Sequence, residues 1–173
     1  MNLPTYTKIS IAFLSLIITI ILIKAIWINI CTSSIGSFES EKNNILKRCN
    51  WLVEQIIVSP KELIGKMPSA VGPQFQGEWA LYSCSMLCKA LVNIAHIFPE
   101  TKEESLGNIE KLIEMVQDYE LKKYDYYRWG EDPLFCLESD QSHISYLSHL
   151  AWMIGNYKQL GGNSKYDKLH EDI

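Results

Sequence analysis

Positive charge is in short supply in this 173-residue chain: 16 Lys and Arg stand against 20 Asp and Glu, for a net charge of -4 and a pI near 5.6. Binding a phosphate backbone requires a basic face, so nucleic acid is not an expected partner. Nor is there a polybasic strip for anionic lipid. The sequence lacks a Gly-rich phosphate loop, a nucleophile elbow and a His-Glu-x-x-His pattern, so no motif fixes a reaction and no cofactor is expected. It lacks period-two alternation, which argues against strands. Low-complexity tracts and strict repeats are also missing. The five cysteines, Cys31, Cys49, Cys84, Cys88 and Cys136, are odd in number and irregularly spaced, so no disulfide framework is implied. Cys84 and Cys88 share one face of a predicted helix and read as small buried apolar side chains. His143 and His149 are six apart rather than four, and His96 lies about 12 Å along a helix from Cys88. No metal site is expected from either spacing.

Hydrophobic residues make up 47% of the chain, and the N-terminus holds an outsized share. From Ile9 to Ile23 only Ser10, Ser15 and Thr19 are not apolar, and Ala25-Ile26-Trp27-Ile28 continues the run beyond Lys24. As a helix, residues 9–30 would extend about 33 Å, enough for a hydrocarbon core. Lys24 can snorkel to the headgroups and Trp27 can sit in the interface. The segment 1–30 is therefore expected to be a single-pass membrane anchor, with the lipid bilayer as its partner. The rival is a cleaved signal peptide with Lys8 as its basic region and Ser34-Ile35-Gly36 as its cleavage site. Lysines lie on both sides, so the charge rule leaves orientation open. A short tail before a strong apolar run behaves as a signal anchor, which would place the C-terminal part outside the cytoplasm.

After a spacer at 31–38, residues 39–173 are expected to form an all-α domain of helical hairpins. Ile45, Cys49, Leu52, Val53, Ile56 and Ile57 fall on one face of a predicted helix over 40–58, which Ser59-Pro60 ends. Residues 61–76 read as a loop with one helical turn. The helix predicted over 77–98 is apolar on most faces and expects neighbours on several sides. Thr101 and Glu104 suggest a capping box for a third helix with Leu106, Ile109, Leu112, Ile113 and Val116 inward. Residues 119–137 read as an aromatic-rich loop. A fourth helix is expected from Ser139-Asp140 to Leu160, stopped by Gly161-Gly162. Ser164 is the candidate cap of a fifth.

The run from Asp140 to Met153, ending in Tyr157-Lys158-Gln159-Leu160-Gly161-Gly162, together with Glu78-Trp79-Ala80-Leu81-Tyr82-Ser83, resembles α/α-toroid hairpins. The resemblance is to the linalool dehydratase/isomerase-like group and uncharacterised bacterial membrane-anchored relatives, and it covers roughly residues 40–173. It implies a barrel of about six hairpins with a site at one mouth. This chain would supply two hairpins and the start of a third, so an incomplete toroid is expected. No catalytic residue of the family carries over.

The residues themselves nominate Asp140, His143, Tyr146 and His149 for acid–base chemistry, because imidazoles beside a phenol and carboxylates can move protons near neutral pH. At helical spacing the last three drift by about 60° per step and share one broad face. The structural alternative makes Asp140 an N-cap, His143 a partner of a loop carbonyl, and Tyr146 and His149 core. Glu78, Trp79, Tyr82 and Trp129 are candidates for holding a small-molecule ligand by stacking and hydrogen bonding. Their alternative is dipole compensation for Glu78 and burial for the aromatics. Two functions follow. One is acid–base chemistry on a carbohydrate or terpenoid-like small molecule. The other is a non-catalytic membrane-anchored helical module that binds a protein partner, or a truncated fragment of a larger toroid protein.

Overall fold

The computed structural model describes residues 4–33 and 38–173. The described residues are helical throughout, with no strand among them. They divide into two compact units, residues 1–46 and 47–173.

The first unit is dominated by α1 (Thr5–Ser33), a 29-residue helix. It takes in Cys31 to Ser33, which the sequence had suggested were spacer. Its described stretch Phe13–Ile28 is apolar and its side chains are exposed, Trp27 at 69% among them. That stretch alone is shorter than the roughly 20 residues a span requires. The candidate cleavage site at Ser34-Ile35-Gly36 lies outside the described residues. The helix α2 (Phe38–Ile56) begins in this unit and ends in the second.

In the second unit the helix α3 (Pro60–Lys66) takes over the first part of the loop expected over 61–76. Ser59 explains it: the side chain accepts from the Glu62 amide, and Pro60 occupies the first helical position, where no N–H is needed. The helix α4 (Pro73–Ile97) follows the same logic with Pro73. α4 is the one described helix long and apolar enough to cross a membrane, but half of its apolar window is buried. It packs against α3, α5 (Lys102–Gln117), α6 (Tyr119–Trp129) and α7 (Ile144–Gln159). Ala80, Leu81, Cys84, Leu87, Cys88, Leu91 and Val92 form its buried side, which meets Ile109, Leu112, Ile113 and Val116 of α5 and Leu150, Met153 and Ile154 of α7 in one core. Gly77 allows α4 its closest approach to α6, since a Cβ there would lie 2.6 Å from the Tyr124 Cβ.

Four sequence expectations change here. Residues 119–129 are helix, because the Asp118 carboxylate accepts from the Glu120 amide and Leu121 and Tyr124 are buried. Gly130, with φ +80°, stops that helix in the left-handed conformation. The capping box at Thr101 does not form, since the Thr101 hydroxyl donates backwards to the Phe98 carbonyl. The C-terminal turn is capped by Asn163 rather than Ser164, and α8 (Asp167–Asp172) is only six residues long. Asp140 is exposed in the loop and caps nothing: α7 starts four residues later, with His143 at the cap position.

Candidate functional site

The α6–α7 connection is tied down by buried charge. Lys122, on α6, pairs with Asp132 in the loop at 2.5 Å, and its side chain is only 8% exposed. The other Asp132 oxygen accepts from the Leu134 amide, while the Phe135 and Cys136 amides donate to the Asp132 carbonyl. Next to this, His143 is held on both ring nitrogens. Nδ1 lies 2.5 Å from Oδ2 of the buried Asp125 on α6, and Nε2 lies 3.1 Å from Oε1 of Glu131. The ring is 3% exposed, and Trp129 packs edge-on to it. Burial alone would disfavour the imidazolium, but the Asp125 and Glu131 carboxylates outweigh it and raise the His143 pKa. Burial also raises the Asp125 pKa, against the pull of His143, so this pair holds its proton firmly. The Ser139 hydroxyl and the imidazole hold the Glu131 carboxyl below its usual range. With both nitrogens engaged and the ring covered, His143 has no free atom to offer a substrate.

His149 differs. It lies on α7 against Tyr82 of α4, with ring centroids 4.5 Å apart, and Trp152 sits edge-on to its other side. Its Nδ1 is 2.8 Å from the Ser85 hydroxyl, which also donates to the Tyr82 carbonyl. A hydroxyl has one proton, and a carbonyl can only accept. With both hydrogen bonds made, the Ser85 proton goes to the carbonyl and His149 must donate from Nδ1. Nε2 then carries the lone pair, and it has no hydrogen bond among the described residues. Burial pushes the His149 pKa down, with Glu78 in opposition, which favours the neutral ring. A neutral imidazole with one bare nitrogen is able to accept a proton or a hydrogen bond.

Glu78, in the first part of α4, joins the two regions. Its Oε1 accepts from the Tyr82 hydroxyl and from the Ser145 hydroxyl, each at 3.0 Å, and its Oε2 accepts from Arg128 at 3.4 Å. Tyr82 also lines an apolar groove of ≈ 550 Å³ with Leu52 and Ile56 of α2 and Trp79, Met86 and Ala90 of α4. Trp79 is 43% and Met86 57% exposed, so this side of α4 is open.

Of the sequence candidates, Glu78, Trp79, Tyr82 and His149 thus occupy neighbouring positions on α4 and α7. His143 stands apart in the α6–α7 connection and precedes the helix on which the sequence had placed it. Tyr146 points into the core, fully buried, its hydroxyl donating to the Val116 carbonyl at 2.7 Å. Trp129 lies against His143 with its ring nitrogen buried and unpartnered. Asp140 is exposed and away from both groups. Sequence reasoning missed Ser85, Arg128, Asp125 and Ser145. Asp125 offered a signal only with 119–129 read as helix, where it falls four residues after Leu121 on the side that is buried. Among the described residues, no group of His, Cys, Asp and Glu is arranged to hold a metal ion. No protein-family model, curated protein or solved structure matches this chain.

Proposed function

We propose that this is a membrane-anchored helical protein whose α4–α7 face binds an apolar small molecule and carries out acid–base chemistry on it. The observation that carries the reading is the position of Tyr82: it lines the apolar groove, rests on the His149 ring and donates to Glu78. A ligand seated against Leu52, Ile56 and Met86 would contact Tyr82, behind which stands the His149 ring. The apolar lining favours a terpenoid-like body over a carbohydrate, because it offers a sugar few hydroxyl partners. His149 is the proton acceptor in this reading, Tyr82 and Glu78 set the polar end of the site, and Trp79 covers the ligand.

The anchor is α1, with the 47–173 unit outside the cytoplasm. Support comes from its exposed apolar side chains at 13–28, which have nothing polar to do in water. The toroid reading is supported by α5, which follows α4 after one short turn and backs both α4 and α7, as an outer helix backs an inner pair.

The test is tryptophan fluorescence of the full chain in lipid nanodiscs, titrated with an isoprenoid alcohol and separately with a disaccharide. Saturable quenching by the alcohol is expected, weakened at least about tenfold by Met86→Glu, since a buried unpaired carboxylate costs more than 1.4 kcal/mol. Saturation by the disaccharide alone would redirect the substrate class. No saturation by either would remove the ligand reading. The exposed Trp79, Met86 and Trp152 would then favour a protein-binding module, seen as a stable oligomer or complex.

A further inference from the structure

His143 has no free atom for chemistry, yet its position is linked to the site by an unbroken set of contacts. It occupies the cap position of α7, and its carbonyl accepts the first hydrogen bond of that helix, from the Leu147 amide at 2.9 Å. No side chain caps the exposed amides of this helix start. At the cap position itself the tie is the imidazole, clamped between Asp125 on α6 and Glu131 in the loop. Two residues further on, Ser145 donates to Glu78 Oε1, the same oxygen that receives the Tyr82 hydroxyl. Tyr82 in turn carries the His149 ring.

We propose that His143 is a positioning residue for the α4–α7 face, acting through Ser145 on Glu78, and that the charge on its imidazole sets the arrangement of Glu78, Tyr82 and His149. This rests on the reading of that face as the ligand site.

The chemistry behind it is simple. The imidazolium donates to both carboxylates at once. A neutral ring donates to one and turns a lone pair towards the other, so one carboxylate is repelled and the clamp loosens. Asp125 is buried and fixed on a helix, whereas the Glu131 side chain is 29% exposed on a loop, so the Glu131 side gives way. The charged groups facing the imidazole are these two carboxylates. Arg128 and Asp132 act on Asp125 from α6 and from the loop, and Lys122 is taken up by Asp132. The first turn of α7 adds no charged side chain. Losing the proton therefore releases the Glu131 side alone; the ring re-seats on Asp125, and Ser145, two residues on, shifts with it while Tyr146 stays anchored to the Val116 carbonyl.

The experiment is a pH titration of the four histidine side chains by NMR, on the full chain in nanodiscs with no ligand added. The wild type is compared with Glu131→Gln and Ser145→Ala. Glu131→Gln keeps an acceptor for Nε2 but removes a charge, so the His143 inflection moves to lower pH. The expected result is that His149 shows its own inflection and a second one coinciding with His143. The second should move down by the same amount in Glu131→Gln. It should vanish in Ser145→Ala, where His143 still titrates. A His149 curve with a single inflection in both wild type and Glu131→Gln would overturn the proposal. So would a second inflection that survives Ser145→Ala unchanged. Because no ligand is present, this result is independent of whether the groove binds an isoprenoid alcohol.

Discussion

His143 and His149 lie six residues apart on one segment, and the fold gives them opposite chemistry. His143 is paired on both nitrogens, covered on all sides and driven towards the charged form by two carboxylates. His149 has one hydroxyl partner, lies between aromatic rings and is driven towards the neutral form by burial. His143 is buried and His149 half-buried. Burial penalises the charge in each case, and the sign of the outcome is decided by what stands within hydrogen-bonding distance. Close packing thus makes one histidine a structural clamp and the other a reactive candidate.

The comparison breaks most severely at Asp125. Asp125→Ala leaves Glu131 as the only carboxylate on the imidazole and empties a buried site. A loss of about 3–5 kcal/mol in unfolding free energy is expected, the cost of leaving one member of a buried pair behind, and urea unfolding measures it. A loss under 1 kcal/mol would mean that His143 and Asp125 are not paired as described.

The next test uses pH, and the two histidines should move stability in opposite directions. The folded pKa of His143 is raised, so its contribution is complete below the unfolded imidazole value of about 6.5 and is lost as pH rises through the folded value. The folded pKa of His149 is lowered. Below about 6.5 the unfolded state takes up that proton first, so stability is lost as pH falls from there towards the folded value. Melting temperatures of His143→Gln and His149→Gln, each compared with wild type across pH 5 to 9, separate the two. The His143→Gln deficit should shrink as pH rises, and the His149→Gln deficit should shrink as pH falls. Deficits of the same sign of slope would contradict the assigned charge states.

The smallest effect is expected at Ser85. Ser85→Ala removes the partner of His149 Nδ1 and should cost about 0.5–1.5 kcal/mol. Its informative readout is the nitrogen chemical shifts of His149. The wild type should hold the proton on Nδ1, and the variant should populate both tautomers. An Nε2-protonated ring in the wild type would show that the Ser85 proton goes to His149 rather than to the Tyr82 carbonyl.

Much of the helical framework was legible in the chain. The inward residues Ile109, Leu112, Ile113 and Val116 follow from a 3.6-residue period, and all are fully buried. The apolar character of 77–98 announced a helix with several neighbours, and α4 is the hub of its unit. The stretch 119–129 was harder. Its aromatics and charges show no clean apolar stripe, because beside Leu121 and Tyr124 it buries the ion-paired Lys122 and Asp125. Asp140 fitted an N-cap by spacing alone, but the loop tie at Asp132 and the His143 clamp delay the helix to Ile144.

By itself, the sequence determined the helices that carry a clean apolar stripe and the faces they bury, because periodicity, proline and glycine act over a few residues. The apolar helix at the N-terminus was also legible, since composition alone marks that stretch. Only the tertiary structure decided which polar residues meet. Asp125 reaches His143 across 18 positions, Ser145 reaches Glu78 across 67, and Ser85 reaches His149 across 64. Proton affinity depends on those distant partners and on the water they exclude, and neither is set by the residues next to a histidine in the chain.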